Sequence, residues 1–250
     1  MPSSPQAPTL ITVASGKGGV GKTSFTLNLS YQLQKQGANV LVVDADTGLA
    51  NIDVQLNIKP TADLAHVLEG KKTIAEALTP TPHGFSVLCG RSGHQGLSTL
   101  PVPVLTRWME ELRQLTTFTH ILLDAPAGIA PTTLALTAGS AKTLLITTPD
   151  PSSLTDAYAV VKLTNQVHGA APFQLVTNQA SKTEAKQIET RLNMAVTSFL
   201  KLPPLPHIAA IPEDKSYATA VKLHQLASIS FPGNPAVEAI QALATQLLPT

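Results

Sequence analysis

The sequence predicts an α/β fold in which helices flank a doubly wound, mostly parallel sheet. Short apolar runs recur along the 250 residues, helical patterns separate them, and Gly, Pro, Asp or Asn bounds each run. Runs without alternation of polar and apolar residues are typical of strands that are covered on both faces. Because strand and helix alternate throughout, we expect parallel pairing with helices on both sides of one sheet.

Seven segments fit such strands: residues 10–14, 40–44, 85–89, 121–124, 143–147, 173–177 and 208–211. Five long helical patterns cover residues 22–36, 102–115, 152–167, 182–200 and 235–248. In the first helix, Phe25, Leu29 and Leu33 recur at four-residue spacing, and Gly37 ends the pattern. No linker composition interrupts the chain, so we predict a short flexible tail over residues 1–9 and a single domain over residues 10–250.

Composition narrows the class of protein. Net charge is +1 and charged residues make up 13% of the chain, against roughly 25% in an average soluble protein. This balance, without a basic segment interleaved with aromatic residues, indicates no clear nucleic-acid site. The single cysteine, Cys89, excludes a disulfide framework and a cysteine-only metal site within one chain. No secretion signal and no apolar run of about 18 residues is visible, so we expect a cytoplasmic protein.

The segment 16–23, GKGGVGKT, has the spacing of a phosphate-binding P-loop and stands between a predicted strand and a predicted helix. Its glycines let successive backbone N–H groups point at phosphate oxygens, and the helix that follows adds its positive dipole end. Lys22 would neutralise the β- and γ-phosphates, and the Thr23 hydroxyl would ligate Mg²⁺. We therefore predict ATP or ADP with Mg²⁺ as cofactors. The predicted phosphate-binding residues are Gly16, Lys17, Gly18, Gly19, Val20, Gly21, Lys22, Thr23 and Ser24.

Carboxylates follow two further predicted strands. Asp44 and Asp46 come at the end of the segment 40–44, and Asp124 ends the apolar segment 121–124. The carboxyl ends of strands form the ligand crevice of an open α/β sheet. Carboxylates beside a triphosphate repel it unless Mg²⁺ or water lies between them. An apolar strand that ends in Asp is the Walker B pattern, in which the carboxylate holds the Mg²⁺ shell.

The second lysine of the loop, Lys17, makes the motif resemble the deviant Walker A sequence of the MinD/ParA family of P-loop ATPases. The segment 124–128, DAPAG, resembles the switch II form of that family. Within the family, the stretch 44–54, DADTGLANIDV, looks most like the FlhG/FleN branch of flagellar number regulators. The resemblance runs from about residue 10 to residue 248.

The resemblance implies three catalytic residues and an ATP-dependent homodimer. Lys17 reaches across the dimer to the nucleotide of the partner, Lys22 cancels phosphate charge, and Asp46 orients the attacking water. Asp44 lies close to the Mg²⁺ site, which Thr23 and Asp124 complete. From the residues alone, Lys17 could equally be a solvated loop lysine.

The resemblance also implies residues around the γ-phosphate and the base. In switch II, Pro126 precedes Gly128, whose N–H lies close to the γ-phosphate. Asn178, at the end of a strand, reads the adenine edge, which suits an amide that offers both a donor and an acceptor. Pro212 and Asp214 resemble the loop beside the base. A plain turn asparagine is the alternative for Asn178.

We therefore predict a slow ATPase that acts as a switch: it dimerises with ATP and regulates spatial organisation, in particular flagellar number or placement through proteins of the flagellar or positioning machinery. MinD-like division-site placement, ParA-like cargo or chromosome partitioning, and a metabolic or metal-cluster carrier ATPase remain alternatives. The last helix, 235–248, has an apolar stripe but no Lys or Arg, whereas membrane-surface helices usually carry basic residues. We predict that it packs in the core, that membrane association is weak, and that any contact with the inner membrane surface is transient.

Overall fold

A computed structural model describes residues 6–46, 48, 50–91, 97 and 100–248 of the chain. Its strands are β1 (Thr9–Ala14), β2 (Val40–Asp44), β3 (Thr79–Pro80), β4 (Ser86–Leu88), β5 (His120–Asp124), β6 (Lys142–Thr147), β7 (Phe173–Asn178) and β8 (His207–Ile211). They form one sheet in the order β3-β4-β2-β5-β1-β6-β7-β8. Every pair is parallel except β3 with β4, which confirms the predicted fold class.

Helices connect these strands. The larger ones are α1 (Lys22–Lys35), α5 (Val102–Arg113), α6 (Pro131–Gly139), α7 (Pro151–His168), α8 (Lys182–Ala195), α9 (Lys215–Lys222) and α11 (Pro235–Leu247). Four short ones are α2 (Ile52–Leu56), α3 (Leu64–Leu68), α4 (Ile74–Ala77) and α10 (Ala227–Ser230). The predicted start of the first helix and the predicted position of the strands before and after it agree with these bounds.

The sheet has a separate apolar core on each face. On one face, α1 and α11 pack against the strands through buried residues such as Phe25, Leu29 and Ile240. On the other face, α5 packs through Trp108 and Leu112, and α7 and α8 continue the layer towards β7. The apolar stripe of α11 is buried in the first of these cores, so the last helix packs in the core as predicted.

The structure differs from the sequence prediction in several regions of helix. The segment 182–200, predicted as one helix, is α-helical only to Ala195 and continues as a π-helical turn, Val196–Leu200. There the Thr197 hydroxyl donates to the Asn193 carbonyl at 2.8 Å, and Lys201 is left-handed with φ 56°. A side-chain hydroxyl that competes for a backbone carbonyl weakens the regular helical pattern.

Helices α6 and α9 were missed for different reasons. Residues 132–137 of α6 are all buried, so the helix is enclosed on every side and has no polar face to reveal its period. In α9, whose residues are all described, only Ala220 is fully buried. Amphipathic periodicity is therefore weak in α6, whereas α9 is amphipathic but only eight residues long, so its pattern covers little more than two turns.

Candidate nucleotide-binding site

The predicted phosphate loop connects β1 to α1 at the centre of the sheet. Gly19 and Gly21 adopt left-handed backbone conformations, with φ 77° and 89°, which glycine reaches without steric cost. Gly16 is needed for a different reason: a Cβ there would collide with the backbone carbonyl of Asp156 in α7. The glycines of the motif thus set both the curl of the loop and its close approach to α7.

The loop ends at a helix N-terminus that suits an anion. Helix α1 begins at Lys22 with Gly21 as its N-cap, and no side chain among the described residues caps it or places an acid in its first turn. Its first backbone N–H groups therefore lack side-chain partners and carry the positive end of the helix dipole. Lys22, only 8% exposed, adds a full positive charge at the same place.

Two predicted metal ligands lie side by side at the carboxyl edge of the sheet. Asp44 and Asp124 are opposite each other in the register of β2 and β5, and each is 2% exposed. The Thr23 hydroxyl donates to Asp124 Oδ2 at 2.6 Å, while the Thr26 hydroxyl contacts Asp124 Oδ1 at 3.4 Å. Asp124 therefore joins strand β5 to the first turn of α1, next to the expected phosphates.

The second carboxylate is held by backbone at the start of α2. Asp44 Oδ2 accepts the N–H groups of Asn51 at 3.1 Å and Ile52 at 3.2 Å. Gly90 packs closely against the same segment: a Cβ on it would lie 2.8 Å from the Ala50 Cβ and 3.1 Å from the Asp44 carbonyl oxygen. The stretch that follows β2 is thus attached to Asp44 itself, and a change at this carboxylate would act directly on α2.

Burial makes this carboxylate pair hard to ionise. Burial and, to a smaller extent, the charge of Asp124 raise the pKa of Asp44 to about 7. The two backbone hydrogen bonds lower this pKa but do not cancel the increase. Burial also raises the pKa of Asp124 to about 6, although the charge of Lys22 and the bond from Thr23 oppose the increase. The charge of Asp46 raises the pKa of both groups, which places Asp46, the predicted water-orienting residue, close to the pair.

The donor set fits Mg²⁺. Two carboxylates and a hydroxyl are hard oxygen ligands of the kind that Mg²⁺ prefers, and this ion is usually held by one or two carboxylates together with substrate phosphates. Asp44, Asp124 and Thr23 would hold it beside the loop. When bound, the ion would supply positive charge against both the carboxylates and the phosphate oxygens.

The raised pKa values predict the pH dependence of stability without nucleotide. The folded protein holds these protons more tightly than the unfolded chain, whose aspartates titrate near ~3.9. The contribution of these two carboxyls to stability is therefore greatest at low pH and falls as pH rises from about 4 to about 7. Asp44→Asn removes one carboxyl while its amide oxygen can still accept from Asn51 and Ile52. We expect it to raise the free energy of unfolding at pH 8 by roughly 1–3 kcal/mol.

Urea unfolding at pH 5 and pH 8 in the absence of metal tests this expectation. The difference between the two pH values should shrink in Asp44→Asn, whereas Asp53→Asn, in the first turn of α2, should leave it unchanged. An Asp44→Asn protein that is less stable than wild type at pH 8 would contradict the account.

Lys17 points across the loop to the start of α7. Its Nζ donates to Asp150 Oδ2 and to Ser152 Oγ, both at 2.6 Å. Asp150 is the N-cap of α7, and the bonds from Lys17 and Ser152 hold the pKa of its carboxyl well below the usual range. In this structure the second lysine of the motif is therefore paired within its own chain and half-exposed.

The predicted switch II segment, residues 124–128, begins at the last residue of β5 and is hydrogen-bonded to β1 and to Ser15, just before the phosphate loop. The N–H of Ala125 donates to the Val13 carbonyl at 3.1 Å, and that of Gly128 donates to the Ser15 carbonyl at 2.9 Å. Gly128 is left-handed, with φ 96°. Contact of the Gly128 N–H with a γ-phosphate remains a prediction, and it requires the bond to Ser15 to break.

The residues predicted to contact the adenine base differ in their surroundings. Asn178, at the end of β7, donates from Nδ2 to the Val20 carbonyl at 2.8 Å, and a Cβ on Gly21 would lie 2.7 Å from that nitrogen. Asp214 is the N-cap of α9 and accepts the N–H groups of Ser216 and Tyr217. The structure thus places Asn178 against the phosphate loop, while the Asp214 carboxylate caps its own helix and also accepts a hydrogen bond from Asn234.

An open cleft of about 360 Å³ adjoins the phosphate loop, and we call it the nucleotide cleft. Its lining is Lys17, Gly18, Gly19, Val20, Thr148, Pro149, Asp150, Gln179, Glu184 and Glu213. The sequence prediction missed six of these residues: Thr148, Pro149, Asp150, Gln179, Glu184 and Glu213. Thr148 and Gln179 follow directly after strands, and Glu213 stands between Pro212 and Asp214, so only proximity to strand ends and to the base loop could have indicated them.

The comparisons with known proteins agree with this geometry. The family model described as the CobQ/CobB/MinD/ParA nucleotide binding domain matches residues 11–227. The chain belongs to this family. Among MinD/ParA relatives, the antiactivator FleN of Pseudomonas aeruginosa is 32% identical over 95% of this chain and 85% of its own length. The flagellum site-determining protein YlxH of Helicobacter pylori is 38% identical over 62% of this chain and 53% of its own.

A solved structure supports the same assignment. The cell division ATPase MinD of Pyrococcus furiosus matches with a TM-score of 0.79 and 27% identity, over 96% of this chain and 98% of that one. FleN and YlxH confirm the predicted FlhG/FleN-like branch of the MinD/ParA family. Among the residues that the structure describes, no helix is long and apolar enough to cross a membrane.

Proposed function

We propose that this protein is a Mg²⁺-dependent ATPase that switches between a monomer and an ATP-bound homodimer and thereby regulates flagellar number or placement. The observation that carries the proposal is the arrangement of Lys22, Thr23, Asp124 and Asp44 around an uncapped helix N-terminus. A cation, a hydroxyl and two carboxylates beside a helix N-terminus are the groups that P-loop ATPases use to bind a Mg²⁺–triphosphate, and this supports the proposal. The flagellar role rests on similarity to proteins named as an antiactivator and as a flagellum site-determining protein.

The residue roles follow from this arrangement. Lys22 and the first N–H groups of α1 would bind the phosphates, and Asp46, next to the acid pair, would position the attacking water. Asn178 and the loop around Pro212 would border the base; we place Glu213 in the nucleotide cleft beside them, because the Asp214 carboxylate already caps α9.

Division-site placement remains the second candidate, because the septum site-determining protein MinD of Bacillus subtilis shares 32% identity over 68% of this chain. A metal-cluster carrier is less well supported. Cys89 is 1% exposed, and burial raises the pKa of its thiol to about 12. A buried thiol that resists ionisation is a poor ligand for a shared cluster.

The dimer proposal predicts opposite behaviour of two variants. Lys17→Ala should bind an ATP analogue but stay monomeric, because the charge that would reach the partner's nucleotide is gone. Asp150→Ala should dimerise with the analogue at least as readily as wild type, since Lys17 loses its intramolecular carboxylate partner and keeps only the Ser152 hydroxyl. An exposed ion pair of this kind contributes only about 1 kcal/mol or less, so nucleotide can displace it.

Analytical ultracentrifugation of wild type and both variants, with ADP and with a non-hydrolysable ATP analogue, measures this. A wild-type dimer that persists in ADP, or an Lys17→Ala protein that dimerises like wild type, would count against the switch.

A further inference from the structure

A hydrogen-bond network joins the phosphate-loop helix α1 to helix α9. The hydroxyl of Tyr217 accepts from the Ser24 hydroxyl at 3.1 Å and from the Asn28 amide at 3.2 Å. Asn28 also donates to the Ser24 carbonyl at 2.8 Å, and its Oδ1 accepts the N–H of Ser228 in α10 at 2.8 Å. Ser24 directly follows Thr23, which contacts Asp124. The network therefore reaches the residue next to the candidate metal site.

The other end of the network lies beside the nucleotide cleft. Asp214 Oδ1 accepts the N–H of Ser216 at 2.7 Å and that of Tyr217 at 3.0 Å, which fixes the first turn of α9. Glu213, the residue before this cap, lines the nucleotide cleft. A short covalent path therefore connects Glu213 to the Tyr217 ring, and the Tyr217 hydroxyl connects that ring to α1.

Besides this network, helix α9 is held by the Tyr217 ring, which packs against the apolar core, and by a hydrogen bond from Asn234 to the Asp214 cap. Of its eight residues, all of them described, only Ala220 is fully buried. By contrast, most of α1 is buried, and β1 leads directly into the phosphate loop. The phosphate loop is thus held in place without Tyr217, whereas the position of α9 and of the loop before it depends on contacts such as this one. Burial raises the pKa of Tyr217 to about 12, so the hydroxyl keeps its proton at ordinary pH.

We propose that Tyr217 is a positioning residue that holds the base-side loop, residues 212–214, against the phosphate-loop helix through its hydroxyl contacts with Ser24 and Asn28. This inference rests on the proposed nucleotide-binding function. A ligand that carries a base would use both the phosphate loop and the positioned base-side loop. A ligand that consists of phosphates alone would use only the first.

The test compares Tyr217→Phe with wild type by calorimetry, using a non-hydrolysable ATP analogue and inorganic tripolyphosphate, each with Mg²⁺. We expect affinity for the ATP analogue to fall roughly 3- to 10-fold, the range of a lost buried hydrogen bond, and affinity for tripolyphosphate to stay the same. Tyr31→Phe is the matched control: Tyr31 lies on α1 and packs against the same core as Tyr217, and its loss of hydroxyl should change neither affinity.

Equal weakening for both ligands, or no change for either, would overturn the positioning role. A second variant guards against a general loss of structure. If the hydroxyls of Ser24 and Tyr217 act together, the double variant Ser24→Ala with Tyr217→Phe should lose less binding free energy for the ATP analogue than the sum of the losses in the two single variants. Strict additivity of the two losses would contradict the link. Wild type that binds neither ligand would instead refute the proposed function.

Discussion

Replacing Lys22 by alanine should lower the affinity for ATP by at least ~100-fold, because two phosphates lose the same charged donor. Hydrogen bonds to charged groups contribute about 1.5–3 kcal/mol each, and every 1.4 kcal/mol is a factor of ten. Lys22 also lowers the pKa of Asp124. Even without nucleotide, the variant therefore lacks the positive charge that offsets the negative charge of Asp44 and Asp124.

Calorimetry with an ATP analogue and Mg²⁺ measures the effect of this change. Lys35→Ala is the matched control, because Lys35 lies in the last turn of the same helix, far along α1 from the phosphate loop. It should bind like wild type. Unchanged affinity in Lys22→Ala would mean that the loop does not hold the phosphates.

Replacing Asp46 by alanine should slow ATP hydrolysis by roughly 10²-fold or more while nucleotide binding persists. Loss of an acid–base or positioning group typically has an effect of this size. Transfer of a phosphoryl group to water needs an in-line water and cancellation of charge more than proton abstraction. Asp46 is close enough to Asp44 and Asp124 to raise the pKa of both, so it lies at the metal side of the predicted phosphates.

The rate of phosphate release, together with the affinity for ATP, separates three roles of Asp46. Loss of hydrolysis alone supports a water-positioning residue. Loss of both affinity and hydrolysis assigns Asp46 to the Mg²⁺ site. Hydrolysis at the wild-type rate would place the water on another group, with Asp44 the first candidate. Asp53→Ala, a few residues further along in α2, is the control and should hydrolyse ATP normally.

The parts of this site that the sequence predicted depend on local signals. The phosphate loop is a contiguous motif between a strand and a helix, and Asp44 and Asp124 each end an apolar strand. Parallel strands place such ends at one edge, and the register indeed puts these two residues opposite each other. The same logic identified the long helices, whose apolar stripes are visible within a few turns.

What the sequence could not predict depends on contacts between distant segments. Lys17 and Asp150 are separated by 133 positions, and Ser24 and Tyr217 by 193. No periodicity or spacing indicates such pairs. The capping role of Asp214 was also hidden, because an aspartate before a helix looks the same in sequence whether it binds a ligand or its own backbone. The functional roles of Asn178, Pro212 and Gly128 remain predictions.

The measurement that tests the central claim most directly is the mass of the Asp46→Ala protein by light scattering, first with ADP and then with ATP, each with Mg²⁺. If the chain is an ATP-driven switch, the hydrolysis-deficient protein should have the mass of a monomer, about 26.2 kDa, with ADP and twice that mass with ATP. The same mass in both nucleotides, whether that of a monomer or that of a dimer, would contradict the account.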